Sequence, residues 1–372
     1  MKHIFLLFGG YIELAREEAS SLIDVKNHFA ADKLLIADVE GNGNSIKNLS
    51  KRLALTKSIY KFLFECKVDG LNETMRDFDW SQIYRDNFCL RVHNFNNNYN
   101  KKISNKKTRA TSESNAAGSE PLGIFSEKYL AKYVWRSVKN PKVNLEYPKT
   151  KIEVFIHGKK AYCGLLIFEN KENFELRKSH LRPFPSPSSL HPKLARALVN
   201  LTGVKENEAL IDPFCGAGGF LIEAGLMGIE VIGYDINRMM IKGCRKNLDY
   251  FKIKDYKIKN KNALDINDRL DCAATDLPYG LNSNVISEYH KDNWKLGRIN
   301  KKIQKERFKE DLEEFYLQFL KNLRKKLRKK AVIVFPNYVD YRSLLKKAGF
   351  RLEKEFSNYV HGSLTRKIVK IS

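Results

Sequence analysis

The chain has 372 residues, 43% of them hydrophobic, and its 67 Lys and Arg outnumber 43 Asp and Glu to give a formal charge of +24. That composition suits two or three packed domains and, with the cations spread along most of the length, a polyanionic partner. Cysteines 66, 89, 163, 215, 244 and 272 form no Cys-x-x-Cys pair and have no histidine at zinc-ligand spacing, so neither a structural metal site nor a thiol redox motif is indicated.

Ile4 to Phe8 is a short apolar run followed by Glu13, Glu17 and Glu18, which fits a first strand and not a signal segment. No apolar run approaches the roughly 20 residues that cross a bilayer, so a reducing, cytoplasmic location and no membrane partner are expected. The pattern then reads as a strand at 3–8, a helix at 11–24, a strand at 34–39, a helix at 46–53 and a strand at 58–66. Phe88 to Val92 is strand-like, and from Asn94 to Gly118 the chain is rich in Asn, Lys, Ser and Thr, the composition of a mobile basic loop. A helix is predicted from about Ile124 to Val138, then a β-hairpin of Lys151–Ile156 and Ala161–Phe168 around a His157-Gly158-Lys159-Lys160 turn. Pro183, Pro185 and Pro187 punctuate a stretch expected to be a semi-rigid connector.

Beyond Leu190, strands at 209–212, 230–236, 256–260, 271–276 and 331–336 alternate with helices near 218–227, 237–250, 304–329 and 338–348, which predicts a parallel sheet. Segments 350–356, 359–364 and 366–371 supply closing antiparallel strands.

Asp212-Pro213-Phe214-Cys215-Gly216-Ala217-Gly218-Gly219 leads from the first of these strands into a helix. Glycine has no side chain to obstruct a ligand, so this turn can bring backbone against a cofactor. The spacing G-x-G-x-x-G fails because Leu221 stands at the third glycine. Asp235, ending the second strand, is placed to accept both hydroxyls of a ribose; the alternative is cap chemistry beside Asn237. The turn from Lys261 to Asp265 is placed at an adenine edge, where the Asn262 amide oxygen can accept from an amino group. The cofactor-binding candidates are Asp212, Phe214, Gly216, Gly218, Asp235, Ile236, Asn262 and Ala263. This set resembles class I S-adenosylmethionine methyltransferases.

Thr275-Asp276-Leu277-Pro278-Tyr279-Gly280 follows the fourth strand on the same predicted sheet edge. An exocyclic base amine is a poor nucleophile because its lone pair is delocalised into the ring. If the Asp276 carboxylate and the Leu277 carbonyl accept its two hydrogens, the nitrogen is oriented and its developing positive charge is stabilised. Pro278 holds Leu277 extended, and Tyr279 offers a ring for stacking. The catalytic candidates are therefore Asp276, Leu277, Pro278 and Tyr279, with no metal. The pattern resembles the Asp/Asn-Pro-Pro-Tyr motif of amino methyltransferases, with Leu277 at the second position; the alternative is a loop that merely closes a buried strand. A paired base reaches such a site only by flipping out of its stack.

Arg182-Pro183-Phe184-Pro185-Ser186-Pro187 with Ser188 to Asn200, Asp212 to Gly219, Thr275 to Gly280 and His361-Gly362-Ser363-Leu364-Thr365-Arg366 together resemble archaeal tRNA guanine-N2 dimethyltransferases acting at position 10. The match covers essentially the whole C-terminal half. Upstream, Phe88 to Val92 and the hairpin resemble a THUMP domain preceded by a ferredoxin-like domain. The resemblance implies an α/β chain with an N-terminal ferredoxin-like domain (1–66), a THUMP RNA-binding domain (67–170), a linker (171–187) and a Rossmann-like class I methyltransferase domain (188–372). It also implies S-adenosyl-L-methionine as methyl donor, tRNA as partner gripped by the THUMP unit at its acceptor end, and two successive methylations of one guanosine N2. A monomer is expected.

In the last long helix Phe308, Leu312, Phe315, Phe319, Leu323 and Leu327 form a buried stripe, and Lys321, Arg324, Lys325, Lys326, Arg328, Lys329 and Lys330 form a basic face that either meets phosphates or simply solvates the helix. Two functional alternatives stay open: a relative methylating another position in tRNA or rRNA, or a DNA amine; and a non-catalytic RNA-binding module on the same sheet.

Overall fold

The computed structural model describes residues 1–22, 25–39, 43–96, 125–268, 270–279, 301–362 and 364–372. Most of the Asn/Lys-rich segment, the start of the helix expected at Ile124, Gly280 and Ser363 lie outside the described residues. The chain divides into two compact units, one formed by Met1–Ile12, Ile23–Ser50 and Thr56–Asn170, the other by Glu13–Leu22, Lys51–Leu55 and Lys171–Ser372.

The first unit is built on one seven-stranded sheet of β1 (Lys2–Leu7), β2 (Val25–Ala31), β3 (Leu34–Val39), β4 (Thr56–Lys67), β5 (Phe88–Asn94), β6 (Thr150–His157) and β7 (Lys160–Glu169), in the order β2-β3-β1-β4-β7-β6-β5. β1 sits between β3 and β4, and its residues from His3 to Leu7 are all buried, as a strand covered on both faces requires. Trp80 is fully buried with Leu71, Met75, Leu130 and Val134, which fixes helices α3 (Leu71–Asp77) and α4 (Glu127–Ser137) on the sheet. Neither β2 nor α3 was expected from the sequence.

The second unit carries the sheet of β8 (Ala209–Asp212), β9 (Glu230–Asp235), β10 (Tyr256–Asn260), β11 (Cys272–Asp276), β12 (Ala331–Pro336), β13 (Leu352–His361) and β14 (Leu364–Ile371), in the order β10-β9-β8-β11-β12-β14-β13. The first five are parallel, as expected, and the last two close the edge as an antiparallel pair; Tyr359 to His361, expected to open a separate strand, are the end of β13, and Leu364 begins β14. The chain steps outward from β8 through β9 and β10 and then returns to β11 on the other side of β8. That reversal opens a crevice at the carboxyl ends of β8 and β11, where open α/β sheets receive ligands.

Helix α1 (Ile12–Leu22) and residues 51–55, at the end of α2 (Gly43–Arg52), belong to this second unit. The buried Glu18 carboxylate accepts from the backbone N–H groups of Ala54 and Leu55, both at 2.8 Å, and from Asn200 Nδ2 at 2.7 Å. Asn200 lies on α5 (Pro192–Leu201), a helix started by Pro192 behind a His191 cap and packed into the core along nearly its whole length. Burial raises the Glu18 carboxyl above its ordinary value, and the three donors pull against that rise.

The last long helix is α8 (Lys301–Lys326), three residues shorter at its C-terminal end than the expected 329. Leu312, Phe315, Phe319 and Leu323 are buried as the stripe requires, with Tyr316 and Leu320 added; the Phe308 side chain lies outside the described residues. The expected basic face is broken by this ending. Arg328 pairs with Asp271 at 3.1 Å, Lys330 with Glu353 at 3.0 Å, and Lys329 with Glu208, so these cations are held by carboxylates of the fold.

Candidate active site

The glycine turn is held from three sides. Gly216 and Gly218 have φ of 49° and 88°, the left-handed region that costs an L side chain about 1–2 kcal/mol. A Cβ on Gly218 would lie 2.8 Å from Cys244 Sγ, so side-chain volume is excluded there as well. Cys215 N–H donates to the Tyr234 carbonyl at 2.8 Å, and Asn247 Nδ2 donates to the Ala217 carbonyl at 3.0 Å. Asn247, on α7 (Arg238–Tyr250), also exchanges two 2.9 Å bonds with the backbone of Phe184, whose ring covers Gly243. The proline-punctuated stretch is thus packed into the second unit, with Arg182 and Ser186 buried. Below the turn, α6 (Gly219–Gly225) is anchored by buried Glu223, which pairs with Arg177 at 2.8 Å and Arg196 at 2.9 Å, both guanidinium groups lying over the Phe174 ring. Removing one partner of such a buried pair costs about 3–5 kcal/mol because a charge is stranded.

A cavity of about 770 Å³ opens at this turn. Asp212, Phe214, Gly216, Asp235, Ile236, Asn262, Ala263, Asp276, Leu277, Pro278 and Tyr279 all line it. Of the candidate residues only Gly218 stays off the wall, where it shapes the turn. Sheet register explains the convergence: Ala273 on β11 pairs with Ile211 on β8, and Asp212 pairs with Gly233 on β9, so the three acids leave neighbouring strand ends.

Asp212 is buried and accepts from Thr275 Oγ1 at 2.7 Å and Phe214 N–H at 3.1 Å. Burial pushes its carboxyl up to about 7; those two donors lower it, while Asp276 and Asp235 raise it further. Asp235 uses one oxygen for Gly216 N–H at 3.0 Å and the other for Asn237 N–H at 2.7 Å, and burial raises its carboxyl too. The helix cap itself is Asn237, whose side chain accepts from Met239 and Met240, so Asp235 ties the turn together while still facing the cavity. Asn262 Oδ1 is already used, accepting from Leu264 N–H at 2.9 Å as the cap of a short 3₁₀ turn; its amide hydrogens remain for a ligand.

The opposite wall is built differently. Asp276 Oδ1 is buried and has no hydrogen-bond partner, while Oδ2 lies 3.5 Å from Arg366 Nη2. Burial pushes this carboxyl up to about 7, against the lowering influence of the Arg366 charge and the Tyr279 hydroxyl. Leu277 N–H is bonded to the Val334 carbonyl at 3.2 Å and the Leu277 side chain is buried, so the motif is seated on β12. Pro278 carbonyl accepts from Tyr316 Oη at 2.7 Å, and Tyr279 Oη accepts from Arg366 Nε at 2.9 Å. Phe214 packs edge-on against Phe319 at 5.0 Å and Phe315 at 6.0 Å, which joins the glycine turn to α8.

Lys261, at the start of the turn expected at the adenine edge, is on the cavity wall; Ser186, Ser188, Tyr338 and His361 on that wall, and Asn247 and Arg366 behind it, are not among the candidates read from the sequence. The Ser-Pro run and the His361 to Arg366 segment were noticed only through family resemblance, and no local spacing links either to the cavity. Among the described residues no cluster of His, Cys, Asp or Glu could hold a metal ion, and no helix is long and apolar enough to cross a membrane.

The glycine cradle, the acid at each of two strand ends and the cavity volume fit an adenosine-bearing methyl donor. A family model described as an RMKL-like methyltransferase domain matches residues 179–298. A tRNA (guanine(10)-N2)-dimethyltransferase of Methanothermobacter thermautotrophicus is 31% identical over 87% of this chain and 84% of its own. Its counterpart in Pyrococcus abyssi is 29% identical over 95% of this chain and 94% of its own. Among solved structures, TrmN from Thermus thermophilus aligns over 100% of this chain and 99% of its own with a TM-score of 0.51 and 17% identity, a likeness of fold.

Proposed function

Because the chain belongs to the tRNA (guanine(10)-N2)-dimethyltransferase family, we propose that it methylates N2 of the guanosine at position 10 of tRNA twice, giving N2-methyl- and then N2,N2-dimethylguanosine. It is an S-adenosylmethionine-dependent tRNA guanine-N2 methyltransferase; the position and the number of methyl groups are the finer reading. The observation that carries this reading is that the glycine turn with Asp212 and Asp235, and the motif from Asp276 to Tyr279, line one cavity.

In this reading Asp235 accepts the ribose hydroxyls, Gly216 gives the backbone its close approach with Gly218 shaping the turn behind it, Phe214, Ile236 and Ala263 bound the apolar surface, and Asn262 meets the adenine edge with Asp212 near the ammonium group. The bound cofactor would supply an electrophilic sulfonium methyl; the amine nitrogen gains the N–C bond as the S–C bond breaks to a thioether, and its surplus proton passes to solvent. Asp276 and the Leu277 carbonyl accept the amine hydrogens and so aim the nitrogen lone pair, a contribution of placement and charge stabilisation. Pro278 stiffens that carbonyl, and Tyr279 stacks on the extruded ring. The second methylation needs only one acceptor, since one N–H remains. Residues 67–170, read as a THUMP domain behind a ferredoxin-like domain at 1–66, grip the acceptor end of tRNA, and the enzyme works as a cytoplasmic monomer.

Unmodified tRNA incubated with methyl-labelled cofactor, followed by mapping of the labelled nucleotide and mass spectrometry of its nucleoside, tests the proposal. Label at guanosine 10 as the N2,N2-dimethyl species is expected. Label at another position, or arrest at one methyl under excess enzyme, overturns the finer reading.

A further inference from the structure

Arg366 lies on β14, 87 residues from Tyr279 along the chain, yet its guanidinium reaches both polar groups of the amine-binding motif. Nε donates to Tyr279 Oη at 2.9 Å, and Nη2 stands 3.5 Å from Asp276 Oδ2. Both ends of that ion pair are mostly covered, with 12% of the Arg366 side chain and 18% of the Asp276 side chain exposed, so solvent screens it far less than a surface pair. The register Pro336↔Arg366 between β12 and β14, beside Asp276↔Val334 between β11 and β12, brings the arginine to the strand end that carries the motif.

We propose that Arg366 is a positioning residue for the methyl transfer, its Nε fixing the Tyr279 ring through the hydroxyl and its Nη2 holding Asp276 as the carboxylate that accepts the amine hydrogens. The inference rests on the amine-methylating reading of the site. Its physical core is a conflict that burial creates. An acid sheltered from water favours its neutral form, and a protonated Asp276 loses acceptor capacity exactly where the amine needs it; a fixed cation beside Oδ2 opposes that protonation. The fork geometry matters because one planar group serves two partners at once, which a lysine point charge does not reproduce.

The other groups around Asp276 are accounted for. Asp212 at the end of β8 repels its negative charge, and Tyr279 on its own loop lowers its carboxyl. Burial raises the Tyr316 hydroxyl on α8 well above its ordinary value, and Tyr338, Lys261 and His361 stand on the wall of the same cavity. Among the described residues, Arg366 is the cation paired with Asp276.

The test measures single-turnover methylation of unmodified tRNA between pH 6 and pH 9.5 for wild type, Arg366→Gln, Arg366→Lys and Asp276→Ala, with cofactor affinity by calorimetry. In Arg366→Gln the midpoint of the acid limb rises by about one unit or more, as loss of an opposite charge at this distance dictates, so its deficit narrows at high pH while cofactor affinity stays within about twofold. Arg366→Lys keeps the midpoint within a few tenths of a unit and loses rate about evenly across the range, because Tyr279 has lost its partner. An Arg366→Gln deficit that is equal at every pH, or no deficit at all, overturns the assignment provided Asp276→Ala is inactive. An active Asp276→Ala, which has no side-chain acceptor, overturns the amine-methylating reading itself, which separates the two failures.

Discussion

The two walls of the cavity contrast in how their acids are satisfied. On the cofactor side, both oxygens of Asp235 accept backbone N–H groups, and Asp212 accepts from a hydroxyl and a backbone N–H. On the amine side, Asp276 Oδ1 is buried without a partner and Oδ2 lies 3.5 Å from Arg366, with the Tyr279 hydroxyl also favouring the charged form. Asp235 is thus fixed through both oxygens and Asp212 through Oδ1, whereas Asp276 keeps a buried acceptor for the amine. Burial alone does not distinguish the walls, since it pushes both Asp212 and Asp276 up to about 7.

The sharpest way to break this contrast is Asp276→Ala. Methyl transfer should fall by about a thousandfold with tRNA affinity nearly unchanged in a filter-binding titration, because only a transition-state contact is removed. Equal loss of rate and affinity would count against a catalytic role. Next comes Gly218→Ala, which places a Cβ 2.8 Å from Cys244 Sγ at a φ of 88°. Its strain of about 1–2 kcal/mol should weaken cofactor binding by about tenfold in calorimetry while the rate at saturating cofactor stays near wild type. A loss confined to the rate would erase the division between the walls.

Thr275→Val should act more gently. It removes the 2.7 Å hydroxyl donor to Asp212, so that carboxyl climbs further and cofactor affinity should drop about threefold near pH 7 and less at pH 9. Affinity that is flat with pH in this variant would show that Asp212 does not face the cofactor as an anion. The smallest effect is on stability. Asp212 and Asp276 have folded-state values raised above the usual 3.8, so their contribution to stability is complete below the unfolded value and is lost as pH rises through about 7. Asp276→Asn should therefore melt about 3 °C higher than wild type at pH 8 and lose that advantage toward pH 4, while wild-type activity rises with pH as the Asp276 carboxyl ionises. A pH-independent melting difference would mean that Asp276 is not strained by burial.

Much of this layout was legible in the residues. The strands at 209–212 and 331–336 fall where their apolar runs put them, because parallel strands covered on both faces read so, and the edge strand at 256–260 shows in the alternation of Tyr256 and Ile258 with lysines. β2 escaped because Val25 to Ala31 mixes Lys, Asn and His into the run and shows no clean alternation. α5 was left out of the predicted helices although Pro192 at its start and the apolar Leu194, Ala195, Ala197 and Leu198 are strong local signals. The expected basic face failed at Arg328 to Lys330 because the helix stops at Lys326 and the pairing acids come from elsewhere in the chain.

What the chain's own letters determined is local: glycines that license left-handed backbone, a proline that straightens its predecessor, an acid at each strand end, and a charge suited to a polyanion. Those properties need only a residue and its neighbours. The tertiary structure alone decided that Arg366 stands behind Asp276 and Tyr279, that Asn247 ties Phe184 to the glycine turn, and that one buried oxygen goes unpaired. Such facts depend on strand order and register across scores of residues, and burial, which sets the charge state of both acids, exists only once the sheet has closed over them.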